Sequence, residues 1–162
     1  MPEQHTFKTE AEMATFGANL VSSLGIGDVV LLSGPLGAGK TTLARAMIRA
    51  LGWQGQVRSP TYNLIHTYPT APPVMHADLY RVESAIGLGM EEYLDSHLCL
   101  IEWPDRLNGL LDGHEGVTQI EIEFANEGRT LTVLDPPGLR ARSRPEGSSS
   151  PRPKDRPSTA ID

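Results

Sequence analysis

The chain is poor in lysine, in cysteine and in long apolar runs, and each shortage argues against a class of protein. Lysines stand only at positions 8, 40 and 154, so no N/T-K-x-D segment is present to recognise a guanine base, which argues against a GTPase switch. No apolar run approaches the roughly 18 residues of a membrane-spanning helix, and acidic Glu3 and Glu10 lie where a secretory leader would begin. The single cysteine, Cys99, lies among apolar residues, as a buried thiol does. We therefore expect a cytoplasmic protein with a reduced thiol.

The charges divide the chain into two parts. Residues 1–135 hold 8 basic and 17 acidic residues, whereas residues 136–162 hold 6 basic and 3 acidic ones. The second part also has six prolines, a run of three serines and no aromatic residue. We therefore expect one folded domain over residues 1–138 and a disordered Pro/Ser/Arg-rich tail over residues 139–162. The acidic domain argues against tight, unaided binding of nucleic acid, so no DNA partner is expected, although the basic tail leaves contact with RNA open.

One segment, residues 34–41, fits the phosphate-binding loop pattern G-x-x-x-x-G-K-[ST]. The preceding residues 29–32 are apolar and predict a buried strand, and residues 42–51 carry apolar side chains at helical spacing. Glycines in such a loop aim backbone N–H groups at phosphate oxygens, and the following helix adds the positive end of its dipole. Lys40 can then reach the β- and γ-phosphates, and the Thr41 hydroxyl can bind Mg²⁺. This context predicts a nucleotide site.

The other segments predict an α/β fold. Thr9 begins a capping box, and apolar residues then mark one helical face up to Leu24. Strands are predicted at residues 62–68, 74–77, 97–102, 117–124 and 129–134, and helical stretches at residues 90–95 and 105–111. Strands that alternate with helices predict a P-loop NTPase-like layered fold, with a mainly parallel central sheet flanked by helices.

Three further polar side chains are candidates for the same site, and each has a structural alternative. Thr61 follows a proline, so it either starts a strand or brings a hydroxyl near the γ-phosphate, as switch segments do. Asp78 ends a short strand. Its structural alternatives are a helix cap or a pair with Arg81, and its functional ones are to hold Mg²⁺ through water or to orient the attacking water. Glu102 ends an apolar strand, so it is either one of the many acids that end a strand by chance or a Walker B acid, which supports the metal directly or through water.

Four ordered motifs stand out: Gly34-Pro35-Leu36-Gly37-Ala38-Gly39-Lys40-Thr41-Thr42-Leu43, Ser59-Pro60-Thr61-Tyr62, His76-Ala77-Asp78-Leu79-Tyr80-Arg81 and Ile101-Glu102-Trp103-Pro104. On these motifs the chain resembles the TsaE (YjeE) family over residues 7–135. This family consists of small bacterial ATPases that support threonylcarbamoylation of the adenosine next to the anticodon in tRNAs reading A-starting codons. The resemblance implies a TsaB–TsaD complex as partner, in which TsaD transfers the group from the threonylcarbamoyl-adenylate made by TsaC.

Carried over residue by residue, the resemblance implies a site for ATP and Mg²⁺. Lys40 would contact the β/γ-phosphates, Asp78 would be essential for hydrolysis, and Thr61 would lie in a switch-like loop. Thr41 and Glu102 would bind the metal. Thr9 or Glu10, together with Arg129, would lie near the base or ribose. The phosphate cradle would run from Gly37 through Ala38, Gly39, Lys40 and Thr41 to Thr42.

The loop departs from the family pattern at Pro35, where the family usually has an acid. Proline removes one backbone N–H and the charge, which affects loop geometry or metal arrangement, while the residues expected to touch phosphate and metal remain.

The expected activity is ATP hydrolysis that is slow alone and completed by a partner, with tRNA engaged indirectly. Arg58 and Arg81 are the candidates for an arginine finger. The main alternative is a small-molecule kinase on the same loop, but it requires an arginine-bearing lid that the acidic residues 81–96, with Arg81 alone, support poorly. A nucleotide-dependent binding module without catalysis is the other alternative.

Overall fold

A computed structural model describes residues 2–58 and 64–134 of the chain. The predicted tail over residues 139–162 and the predicted switch residue Thr61 lie outside these residues. Two short 3₁₀ turns, Met90–Tyr93 and Pro104–Arg106, lie between the strands. The strands and helices are β1 (Glu3–Phe7), α1 (Glu10–Val21), β2 (Val29–Ser33), α2 (Lys40–Ala50), β3 (Ile65–Tyr68), β4 (Val74–Asp78), β5 (Leu98–Glu102), β6 (Val117–Ala125) and β7 (Gly128–Val133).

The strands form one sheet in the order β1-β7-β6-β2-β5-β4-β3. The expected parallel centre is confirmed, because β2 pairs in parallel with both β5 and β6, and β4 pairs in parallel with β5. The pairs β1–β7, β6–β7 and β3–β4 are antiparallel, so the sheet as a whole is mixed. A two-residue turn, Asn126-Glu127, joins β6 to β7, and so short a connection allows only antiparallel pairing.

Two apolar cores lie on the two faces of the sheet, because side chains alternate along each strand. On one face, Val30 and Leu32 of β2 pack with α1 and α2. On the other face, Val29 and Leu31 pack with the segment that connects β4 to β5 and with the turns after β5. Both α-helices therefore cover the same face, while irregular structure and 3₁₀ turns cover the other.

Some local predictions differ from the structure. No strand was predicted at residues 3–7, yet β1 pairs along its whole length with β7. The helix expected over residues 105–111 is reduced to the turn Pro104–Arg106, because Asn108 and Gly109 take positive φ angles of 52° and 82° that a right-handed helix does not allow. Over residues 2–58 and 64–134, no helix has the length and apolarity required to span a membrane.

The parallel centre brings the carboxyl ends of β2, β4 and β5 to one edge of the sheet, where α2 begins. Open α/β sheets bind their ligands at this edge. The candidate site lies there.

Candidate nucleotide site

The loop between β2 and α2 requires glycine at two of its positions. Gly34 has a φ of +149°, and a Cβ on it would collide with the backbone carbonyl oxygen of Ile122 on β6. Gly39, the N-cap of α2, has a φ of +119°, and a Cβ there would lie 2.7 Å from the Met13 methyl group of α1. The cap makes no side-chain hydrogen bond, so the first N–H groups of α2 are available to an anion.

Lys40 begins α2 and is 5% exposed. Its Nζ donates to the carbonyl oxygens of Gly34, at 2.6 Å, and Pro35, at 2.8 Å. The same atom lies 4.4 Å from the centre of the Trp103 ring, within cation–π range. Burial is the largest influence on the pKa of Lys40 and lowers it, and the carboxylate of Glu102 opposes this shift. The loop, an aromatic ring and a carboxylate thus surround this ammonium group.

Thr41 and Glu102 meet directly, although they are 61 positions apart in the chain. The Thr41 hydroxyl lies 3.0 Å from Glu102 Oε1 and 2.9 Å from Oε2. Glu102 is 2% exposed, and its Oε2 also accepts a hydrogen bond from His76 Nε2 at 2.8 Å. The predicted Walker B acid therefore lies beside the predicted metal-binding hydroxyl. His76, which the sequence did not assign to the site, reaches Glu102 from β4.

Asp78 ends β4 and is paired in register with Glu102 on β5. Its Oδ1 accepts a hydrogen bond from the backbone N–H of Tyr80 at 3.0 Å. Burial is the main cause that raises the pKa of Asp78, the Glu102 carboxylate raises it further, and the Tyr80 N–H acts in the opposite direction. Among the described residues, Asp78 makes neither the helix-cap hydrogen bond nor the pair with Arg81 that the sequence left open. The carboxylate lines the cleft in front of the loop.

The oxygen atoms at this point suit a hard cation as ligands. Thr41 contributes a hydroxyl and Glu102 a carboxylate within 3.0 Å of each other, and Asp78 adds a carboxylate on the neighbouring strand. Mg²⁺ prefers oxygen ligands and retains several waters, so two protein oxygens and a nearby acid are a sufficient set. Within the described ranges, no group of three or more His, Cys, Asp or Glu side chains is placed to hold a metal ion.

Two adjoining clefts lie over the loop. The larger, of about 490 Å³, is bounded by residues of α2, β4 and β5 that include Lys40, Asp78 and Glu102. The smaller, of about 260 Å³, lies on the side of β1 and β7. Gly37, Gly39 and Thr42 border both clefts, so one groove crosses the loop. The smaller cleft is the more enclosed of the two.

Thr9 and Glu10 line the smaller cleft, as does Arg129. The Thr9 hydroxyl caps α1 by accepting from the Glu12 backbone N–H at 3.1 Å, which confirms the predicted helix start. Of the predicted base-side or ribose-side residues, Thr9 thus has a structural role as well as a place in the cleft. Glu12 in turn accepts from the backbone N–H of Lys8 at 2.7 Å, which fixes the entry to the helix.

Arg129 holds the loop through its backbone. Its Nε donates to the Ala38 carbonyl at 2.8 Å, and one Nη donates to the Gly37 carbonyl at 3.2 Å. The guanidinium also lies 4.6 Å from the centre of the Phe124 ring. The resemblance implied only that Arg129 lies near the base or ribose; the structure places it at the smaller cleft and adds that it fastens the loop.

Trp103 and Tyr80 form an aromatic wall of the larger cleft, which sequence reasoning missed. Their ring centres are 4.9 Å apart, and both residues line the cleft together with Arg81. Trp103 has a φ of +61°, a left-handed conformation uncommon outside glycine. The sequence did show an aromatic residue between the candidate acid and a proline, but this pattern alone does not predict that the chain turns the ring back beneath Lys40.

The candidate arginine fingers differ in position. Arg81 lines the cleft, whereas the Arg58 guanidinium donates to the Gln56 side chain and does not border the cleft within the described part of the chain.

Comparison with known proteins agrees with the motifs. A family model described as "Threonylcarbamoyl adenosine biosynthesis protein TsaE" matches residues 7–131. Three relatives share the name "tRNA threonylcarbamoyladenosine biosynthesis protein TsaE". The Rickettsia conorii protein is 41% identical over 135 residues, covering 80% of this chain and 76% of the relative. The Haemophilus influenzae protein is 38% identical over 111 residues, covering 65% of this chain and 69% of the relative. The Streptomyces coelicolor protein is 35% identical over 126 residues, covering 68% of this chain and 85% of the relative.

The fold also has a solved counterpart. A crystal structure of YdiB from Bacillus subtilis superposes with a TM-score of 0.70, at 24% identity, over 88% of this chain and 93% of that one. At this identity the likeness concerns the fold alone. The family match covers the phosphate loop, both acids and most of the β6–β7 hairpin. The chain therefore belongs to the TsaE family.

Proposed function

We propose that this chain is a Mg²⁺-dependent ATPase that acts in the biosynthesis of threonylcarbamoyladenosine in tRNA. The observation that carries the catalytic part is the direct contact between Thr41 of the phosphate loop and Glu102 at the end of β5. A strand-end acid beside the loop hydroxyl is the arrangement by which P-loop enzymes hold a nucleotide-bound metal. The relatives' name supports the biological part.

The chain's own groups divide the work of binding and hydrolysis. The N–H groups of the loop and of α2 bind the phosphates, and Lys40 turns from the loop carbonyls to the β/γ-phosphate oxygens. Thr41 and Glu102 hold Mg²⁺, which neutralises the negative charge of the phosphates when it is bound. Asp78 lies within the same cleft and orients the attacking water, a role that its raised pKa and its place next to Glu102 suit. Trp103 and Tyr80 form the aromatic wall at this end of the cleft.

Hydrolysis by the isolated chain is proposed to be slow, because the described residues provide little extra positive charge at the γ-phosphate. Arg106 donates to the carbonyl oxygens of Tyr80 and Val82, and Arg129 donates to the loop. Among the described arginines, Arg81 is the one that borders the larger cleft. A partner that adds a cation or orders Arg81 would accelerate the reaction. We propose the TsaB–TsaD complex as that partner, with tRNA engaged through it, in the cytoplasm.

The test is tRNA threonylcarbamoylation over many turnovers with TsaB, TsaD, TsaC and ATP, with this chain present or absent. We expect wild-type protein to sustain turnover and the Lys40→Ala variant to fail. Arg49→Ala is the matched control, because it removes one positive charge from the exposed end of the same helix. If wild-type protein and the Lys40→Ala variant support equal product, nucleotide engagement is not the working step and the proposal is wrong.

Separate measurements distinguish hydrolysis from nucleotide binding. Glu102→Ala and Asp78→Ala should retain measurable ATP binding but lose ADP production and modification activity. Full modification activity in variants that no longer hydrolyse ATP would favour a nucleotide-dependent binding module. The kinase alternative would require phosphate to appear on a small hydroxylated acceptor rather than as free phosphate.

A further inference from the structure

His76 is a fully buried polar residue that the proposed chemistry does not use. It lies in the middle of β4, directly opposite His66 on the edge strand β3 and Leu100 on β5. Its Nε2 is 2.8 Å from Glu102 Oε2, and its Nδ1 is buried without a hydrogen-bond partner among the described residues. A buried ring nitrogen without a partner costs stability. An apolar side chain would fill this space without that cost, so the bond to Glu102 is what the imidazole contributes here.

The bond has a defined direction. A carboxylate oxygen accepts the hydrogen bond, so His76 Nε2 is the donor in this contact. Glu102 thus accepts hydrogen bonds from two separate elements, from His76 on β4 and from Thr41 on α2. Thr41 touches both carboxylate oxygens, whereas His76 touches only Oε2. The His76 bond therefore distinguishes the two oxygens and sets the rotation of the carboxylate.

We propose that His76 is a positioning residue, whose Nε2–H fixes the Glu102 carboxylate in the orientation that holds Mg²⁺ with Thr41. This inference rests on the magnesium site of the proposed function. Groups that hydrogen-bond to a metal ligand orient it, and their loss typically weakens metal affinity about 10–100-fold. The strand register produces the arrangement: His76 and Asp78 are two residues apart and share a face, and Asp78 is paired with Glu102, so the imidazole lies diagonally across from the acid.

Three substitutions separate the hydrogen bond from the volume of the ring. His76→Leu removes the donor. His76→Gln places an amide N–H near the position of Nε2, whereas the shorter His76→Asn places one near Nδ1, out of reach of Glu102. His66→Gln is the matched control, since it changes a histidine directly opposite on the neighbouring strand. All variants carry Trp53→Phe, so that Trp103, beneath Lys40, reports nucleotide binding by its fluorescence.

The measurement is the affinity for a slowly hydrolysed ATP analogue in excess Mg²⁺ and in EDTA, expressed as the ratio of the two. We expect His76→Leu and His76→Asn to reduce the Mg²⁺ enhancement about 10–100-fold with little change in the affinity measured in EDTA. His76→Gln should restore most of the enhancement, and His66→Gln should match the unsubstituted protein. A purely structural role would instead lower both affinities together.

Several outcomes would overturn the inference. It is wrong if His76→Leu and His76→Asn keep the full Mg²⁺ enhancement, or if His76→Gln is as impaired as His76→Asn. If His76→Leu does not fold, the comparison of Gln with Asn decides alone. If the unsubstituted protein shows no Mg²⁺ enhancement, the magnesium site of the proposed function fails as well, and that result is distinct from failure of the His76 role alone.

Discussion

Arg129→Met should weaken both the fold and the nucleotide site, because Arg129 ties β7 to the phosphate loop. The variant keeps most of the apolar stem and removes the guanidinium that donates to Ala38 at 2.8 Å and Gly37 at 3.2 Å. A hydrogen bond to a charged donor contributes about 1.5–3 kcal/mol. The longer bond is exposed and contributes less, so we estimate a loss of about 2 kcal/mol in the free energy of unfolding.

The assay is thermal and urea unfolding without nucleotide, followed by titration with ATP. For a domain of this size, a loss of about 2 kcal/mol lowers Tm by about 5–10 °C. Nucleotide affinity should also fall, because the orientation of the loop peptides at residues 37 and 38 is no longer fixed. Arg129→Lys should be nearly as destabilised, since an ammonium group cannot reproduce the planar fork that reaches two carbonyls. Arg49→Met, at the exposed end of α2, is the control.

One result would refute this reasoning. If Arg129→Met keeps the wild-type Tm and denaturation midpoint but loses ATP affinity, the guanidinium acts on the nucleotide directly, as the resemblance implied, and not by holding the loop. Loss of stability without loss of affinity would show that the loop does not depend on its anchor. The prediction requires both effects together.

Three other substitutions or treatments test separate features. Gly34→Ala should cost more than about 2 kcal/mol of stability and abolish nucleotide binding, because its Cβ meets the Ile122 carbonyl and sheet backbone cannot move aside; normal urea unfolding would contradict this. Asp78→Asn should raise Tm at pH 7 while lowering ATP hydrolysis at least about 100-fold. Because the fold raises the pKa of Asp78, ionisation of this carboxyl destabilises the protein increasingly as the pH rises from the ordinary pKa of an aspartate through the raised pKa in the fold. The gain in Tm should therefore vanish in acid, and a gain that is constant with pH would refute the electrostatic cause. Burial raises the pKa of Cys99 to about 12, so thiol reagents at pH 8 should label it only as fast as the protein opens, and rapid labelling of native protein would refute this.

The phosphate loop could be predicted from sequence because its parts are contiguous. Strand, glycines and helix occupy residues 29–50, and each conformation is set by neighbouring residues. Asp78 and Glu102 could also be proposed, since the carboxyl ends of parallel strands meet at one edge of the sheet. Local pattern and a general rule of topology were sufficient for these.

Other contacts depend on register between distant segments, which composition does not encode. β1 has the sequence Glu-Gln-His-Thr-Phe, too polar to predict a strand, and it forms only because β7, about 120 residues later, offers an edge. The bond from His76 to Glu102 requires β4 and β5 to be paired in one particular register. A shift of one residue would send His76 to the opposite face. The fold therefore completes a site that local sequence only begins.

The phosphate loop is held from both sides of β2, and this follows from the strand order. On the β6 side, Arg129 of β7 fixes the carbonyls that precede α2. On the β5 side, Glu102 fixes the hydroxyl of Thr41 in the first turn of α2, and His76 of β4 fixes Glu102. Displacement of either flank removes a hydrogen-bond partner of the loop or of its acid. The geometry of the phosphate loop therefore depends on contacts at both flanks of the sheet.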